Sequence, residues 1–169
     1  GCAAALATIE VLTAAKEAGD RTQGKFDITF GALADLWKFD HDQDNVIPDR
    51  RSVEARLPLV DYTQVQVDRA AGTAFISRRG ARIHLGGIGK GYAIDRAIAL
   101  LRERGLADFL IQSGGDLYVS GRNDDRPWKL GIQDPRGAEG TSFATIEAAN
   151  ATVSTSGDSE RFFIKDGTR

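Results

Sequence analysis

The chain has 169 residues, 41% hydrophobic and 27% charged, with a formal net charge of -2. That mixture belongs to a folded globular chain and excludes a disordered or fibrous one. The near-neutral balance argues against a general electrostatic grip on nucleic acid, so an anionic ligand would have to be held locally.

In chain order, residues 3–18 place Leu6, Ile9 and Leu12 at helical spacing among alanines, with Gly19 as the stop. The polar residues Thr8, Glu10 and Lys16 recur within this stretch, so it is no signal peptide, and an export signal would lie upstream of Gly1. No apolar run reaches membrane-spanning length, and the single cysteine, Cys2, excludes an intramolecular disulfide. FDITF at 26–30 reads as a strand and GALADLW after it as helical. DHDQD at 40–44 reads as a solvated loop; His41, Asp42 and Asp44 lack the spacing of a calcium loop. SVEARLPLV is a short helix interrupted by Pro58. QVQVD, TAFIS and RIHL, separated by the turns RAAG and RRGA, read as a β-meander. YAIDRAIALLRERG carries an apolar stripe of Ile94, Ala97, Ile98 and Leu101 and stops at Gly105. DFLIQS, DLYVSG, PWKLGIQ, SFATIEA and ATVST follow as strands, and Asp166-Gly167 is a hairpin signal two residues before the chain ends. The expected fold is α+β: helices flanking a mainly antiparallel sheet, one domain over 1–169 that is incomplete at both ends.

Residues 83–95, IHLGGIGKGYAID, set four glycines and a lysine between a strand and a helix. A Walker A loop is excluded, because Gly89-Lys90 is followed by Gly91 and His84 stands where the first glycine belongs. A dinucleotide fingerprint is excluded as well, because Tyr92 replaces its third glycine. What remains is a glycine turn that lets a ligand approach the backbone, a helix N-terminus and a mobile cation at Lys90. Glycine also serves tight turns needing positive φ, which accounts for one or two of the four. SGGDLYVSG, with Gly114, Gly115 and Asp116, reads equally as a hairpin or a ligand contact. STSGDSERFF suits anion or ribose contacts as well as a solvated turn. In GKFDITFG, Phe26 reads as core and Asp27 as a cap.

In their order, GKFDITFGALADLWKFD, IHLGGIGKGYAIDRAIALLRERG, FLIQSGGDLYVSGR, PWKLGIQDPR and VSTSGDSERFF resemble the FAD:protein FMN transferase family, often called ApbE. The resemblance covers most of the chain from Gly24 onward and implies an ApbE-like, T-fold-like architecture. It implies an enzyme that cleaves the FAD pyrophosphate with Mg²⁺ and moves FMN to a threonine or serine of a partner flavoprotein, releasing AMP. Hydrolysis of FAD to FMN and AMP and non-catalytic FAD binding are the alternatives. Carried over, Lys25, Phe26, Asp27, His84, Gly86, Gly87, Lys90, Gly115, Asp116, Thr155, Ser156 and Gly157 contact the flavin nucleotide, and the backbone carbonyl of Gly87 is a metal ligand. His84 departs from the aspartate common at that point in the family. The family's catalytic residues and its later Asp-and-Thr metal motif are expected beyond Arg169. An envelope location, periplasmic or at the outer face of the cytoplasmic membrane, follows from the resemblance alone.

Overall fold

A computed structural model describes residues 2–38, 44–138, 140–156 and 164. Two compact units divide it, Gly1–Gly89 and Lys90–Arg169. The elements are mixed helix and antiparallel strand, as the sequence predicts.

In the first unit, β1 (Cys2–Ala3), β2 (Val65–Asp68) and β3 (Thr73–Ile76) form an antiparallel sheet in the order β1-β3-β2. Helix α1 (Leu6–Arg21) carries Leu12 and Ala15 into a buried cluster with Ile28 and Val65. Burying one such aliphatic side chain contributes about 1.5–3 kcal/mol. The helix runs past its expected stop. Gly19 is buried within it, because a β-carbon there would lie 2.6 Å from the Tyr62 ring. The helix ends at Arg21 with Thr22 as the cap, and Gln23, at φ +55°, turns the chain so that the Gly24 N–H donates to the Gly19 carbonyl at 2.8 Å.

FDITF is not a strand. Asp27 Oδ1 accepts from both the N–H and the hydroxyl of Thr29, at 2.7 and 2.5 Å, and this folds the segment into a turn. A 3₁₀ helix over Gly31–Leu36 follows, and Phe30 keeps a single parallel bridge to Arg82. Nor does RIHL form the third strand of the meander: its place beside β3 is taken by β1. Helix α2 (Arg50–Arg56) starts before SVEARLPLV because Asp49 caps it by accepting from Ser52 N–H, and Pro58 falls in a 3₁₀ turn over Leu57–Leu59.

In the second unit, helix α3 (Gly89–Glu103) buries Ile94 and Ile98 against Phe109 and ends before Gly105, whose φ is +79°. β4 (Phe109–Ser113), β5 (Asp116–Ser120) and β8 (Ala151–Ser154) form one antiparallel sheet in that order. β6 (Trp128–Gln133) and β7 (Ser142–Ala148) pair as a ribbon, and the Trp128 indole N–H donates to the Ser120 carbonyl at 3.0 Å. The Asp166-Gly167 signal lies outside the described residues.

Candidate functional site

Each unit gathers part of the predicted site. In the first, residues 26–31 and 82–87 are bound together by backbone. His84 N–H donates to the Ile28 carbonyl at 2.8 Å. Gly31 permits that approach, since a β-carbon on it would lie 2.7 Å from the Arg82 carbonyl oxygen. The Phe26 ring packs 3.2 Å from where a β-carbon of Gly87 would be, so these two residues, each expected to contact the nucleotide, are neighbours. Phe30, exposed, tilts against the His84 ring at 5.0 Å between centroids.

Asp27 sits below this surface. Besides its contacts to Thr29, its Oδ2 accepts from Tyr62 N–H at 2.9 Å, while the fully buried Thr29 hydroxyl accepts from Asp61 N–H at 2.7 Å. The carboxylate thus ties the 26–31 turn to residues 61–62. The Tyr62 hydroxyl donates to Asp20 at 2.8 Å, and that bond is the main reason its pKa is raised above the ordinary tyrosine value. Asp61 titrates below the ordinary aspartate value, chiefly because the Thr63 hydroxyl donates to its carboxylate. Lys25 is exposed, beside the turn that ends α1.

The glycine stretch differs from the expected cradle in two ways. None of Gly86, Gly87, Gly89 and Gly91 has positive φ, so turn geometry is not what demands glycine there. The helix also begins inside the stretch, at Gly89. Gly86 N–H donates to His84 Nδ1 at 3.2 Å, and Ile88 and Gly89 N–H both donate to the Leu85 carbonyl at 3.0 and 2.7 Å.

In the second unit, Lys90 is exposed and makes no ion pair among the described residues. Its Nζ lies 3.0 Å from where a β-carbon of Gly114 would be. Gly114 and Gly115 are the two-residue loop joining β4 to β5, with Ser113 opposite Asp116 and φ +60° at Gly114. Gly115 lets β8 run close: its carbonyl accepts from Thr155 N–H at 2.9 Å, and a β-carbon would lie 2.8 Å from the Thr155 carbonyl oxygen. Asp116 accepts from the Ser154 hydroxyl, and Thr155 and Ser156 are exposed just beyond. Lys90, Gly115, Asp116 and Thr155 are therefore brought together, whereas Gly157 lies outside the described residues. Gly114, not among the flavin contacts the resemblance implies, is the residue on which Lys90 rests; its signal in the sequence was the paired glycines between two strands.

Next to Lys90, a β-carbon on Gly91 would meet nothing within 4 Å. Glycine within a helix costs about 1 kcal/mol relative to alanine, and no neighbour among the described residues requires it here. By position in α3, the N–H groups of Lys90 and Gly91 belong to the first turn, which lacks intrahelical acceptors. These N–H groups, beside an ammonium that makes no ion pair among the described residues, are suited to a phosphate.

Residues 3–169 match the ApbE family. The chain belongs to that family. Among curated ApbE relatives, the FAD:protein FMN transferases of Klebsiella pneumoniae and Salmonella typhimurium are 30% and 31% identical over 167 residues, 96% of this chain and 48% of each relative. Among solved structures, the ApbE protein of Thermotoga maritima superposes with a TM-score of 0.84 at 33% identity, over 98% of this chain and 53% of that one. The flavin transferase ApbE of Vibrio cholerae gives 0.78 at 25% identity, over 96% and 53%. This ApbE chain thus spans about half the length of the curated relatives it matches.

Of the magnesium ligands the resemblance implies, the Gly87 carbonyl alone falls among the described residues, and no three His, Cys, Asp or Glu side chains among them converge. That is not an octahedral oxygen site by itself. Two depressions, about 340 and 350 Å³, lie on the β2–β3 hairpin and involve none of the predicted site residues.

Proposed function

We propose that the protein is a FAD:protein FMN transferase, and that this chain supplies residues that grip the donor nucleotide. The observation that carries the reading is the first turn of α3: Lys90, unpaired among the described residues and resting on Gly114, beside a Gly91 that no neighbour requires. The names of the relatives support the same donor and the same transfer.

In this reading, Lys90 and the N–H groups of the first helical turn hold pyrophosphate oxygens. The exposed Gly86–Gly87 backbone receives the nucleotide on the side away from the His84 and Phe26 rings. A threonine or serine hydroxyl of the acceptor flavoprotein attacks the phosphorus of the FMN half. The new phosphoester bond forms as the pyrophosphate bond breaks, AMP leaves with the bridging oxygen, and the hydroxyl proton passes to solvent. Such a transfer depends mostly on positioning and charge neutralisation, which a lysine and backbone dipoles supply. A requirement for Mg²⁺ belongs to the reading through the family resemblance, as does an envelope location. No described helix is long and apolar enough to cross a membrane. Residues 1–169 are taken as part of one transferase domain, in keeping with their share of the relatives' length.

The test is incubation of the full-length protein with FAD, with and without Mg²⁺, beside an acceptor carrying the target threonine, followed by AMP assay and intact mass of the acceptor. Mg²⁺-dependent AMP together with an added FMN mass is the expected result. AMP without labelling would replace transfer by hydrolysis, and FAD binding with neither product would leave a binding module.

A further inference from the structure

The peptide between Leu85 and Gly86 is held on both sides. Its carbonyl, on Leu85, accepts from Ile88 and Gly89 N–H at 3.0 and 2.7 Å. Its N–H, on Gly86, donates to Nδ1 of His84 at 3.2 Å. The His84 ring lies across the Gly86 backbone, for a β-carbon on Gly86 would come 2.5 Å from Cε1 and 3.0 Å from Nδ1. His84 is itself anchored by its own N–H to the Ile28 carbonyl, and its ring is backed by Phe30.

This accounts for a glycine at 86 without positive φ: a β-carbon there would displace the imidazole from this position. It also gives His84 a task. A ring nitrogen that accepts from an amide carries no proton, so the tautomer that makes this bond has its hydrogen on Nε2. A two-residue glycine segment has the widest conformational freedom of any backbone. The imidazole restrains it at its first peptide, held from the N–H side, while the helix start holds the same peptide from the carbonyl side.

We infer that His84 is a positioning residue for flavin-nucleotide binding, acting through the Gly86 N–H to hold the Gly86–Gly87 backbone in its binding geometry rather than by touching the nucleotide. The inference rests on the reading that this backbone receives FAD. It predicts what can replace histidine. Asparagine can accept from the N–H two residues on, through an Asx turn, whereas leucine fills similar space against Phe30 and accepts nothing.

The experiment is FAD titration of the full-length wild-type, His84→Leu and His84→Asn proteins, with melting temperatures and Gly86 amide hydrogen exchange measured on each. Loss of one such hydrogen bond corresponds to about five- to tenfold in affinity. His84→Leu is expected to weaken FAD binding by about that factor and to speed Gly86 exchange, and His84→Asn to restore both, with all three proteins folded. Wild-type affinity in His84→Leu, or an equal loss in both folded variants, overturns the inference. A wild-type protein that binds no FAD overturns the site reading and this inference's link to the nucleotide; Gly86 exchange then separately shows whether His84 clamps the backbone.

Discussion

Lys90 Nζ rests 3.0 Å from the point where Gly114 would carry a β-carbon, so the cation of α3 and the β4–β5 turn are fitted to one another. Gly114 has φ +60°, a conformation that costs a residue with a β-carbon about 1–2 kcal/mol. Gly114→Ala is therefore expected to lower stability by about that amount and to displace Lys90, weakening FAD binding by about fivefold. Chemical denaturation and a flavin fluorescence titration check the two effects separately. Unchanged affinity in the folded variant would mean that Lys90 does not need this seat.

Lys90 itself is exposed, and no described carboxylate pairs with it. Lys90→Ala is expected to leave stability within about 0.5 kcal/mol while reducing FAD affinity at least about tenfold, or ~1.4 kcal/mol. The same titration decides it. An affinity equal to wild type removes Lys90 from the site.

Asp27 accepts three hydrogen bonds, two from Thr29 and one from Tyr62 N–H. In Asp27→Asn one side-chain oxygen becomes an amide donor, which leaves a part-buried N–H without its acceptor. The expected cost is about 1–3 kcal/mol in stability, exceeding any loss of FAD affinity in the folded protein. Thermal melts and titrations on the same samples compare the two. A large affinity loss with an unchanged melt would identify Asp27 instead as a direct flavin contact.

Tyr62 ties the end of α1 to the turn that carries Asp27, through its hydroxyl on Asp20 and its N–H on Asp27. Its pKa is raised in the fold, first by the hydrogen bond to Asp20. A raised folded pKa means that this contribution is fully present below the unfolded value, about 10, and is lost as pH rises through the folded value. Ultraviolet titration of the tyrosinate band should show a late-titrating tyrosine that moves earlier in Asp20→Asn. An unshifted curve in that variant would place the cause elsewhere.

Local pattern carried much of this fold. The stripe of Ile94, Ile98 and Leu101 and the alternation in QVQVD and TAFIS specify their elements through short-range periodicity, and the structure forms them. FDITF and RIHL show where that reading stops. FDITF has the composition of a strand, but Asp27 and Thr29 satisfy each other within two residues and fold it into a turn. RIHL finds no place beside β3, because β1, too short to announce itself by pattern, takes that edge, and it bonds to the 28–30 turn instead.

The same division runs through the site. Sequence alone determined that glycines, a lysine and a hydroxyl-rich turn occur in an order specific to one family, since order along the chain needs no coordinates. Why four of these residues are glycine was decided only by the folded structure. Gly86 leaves room for His84, Gly87 for Phe26, Gly114 for Lys90 and Gly115 for the backbone of Thr155. In each pair a missing side chain is explained by another group's close approach; for Phe26 with Gly87, and for Lys90 and Thr155 with the 114–115 loop, that group is remote in sequence, and chain folding alone sets such distances.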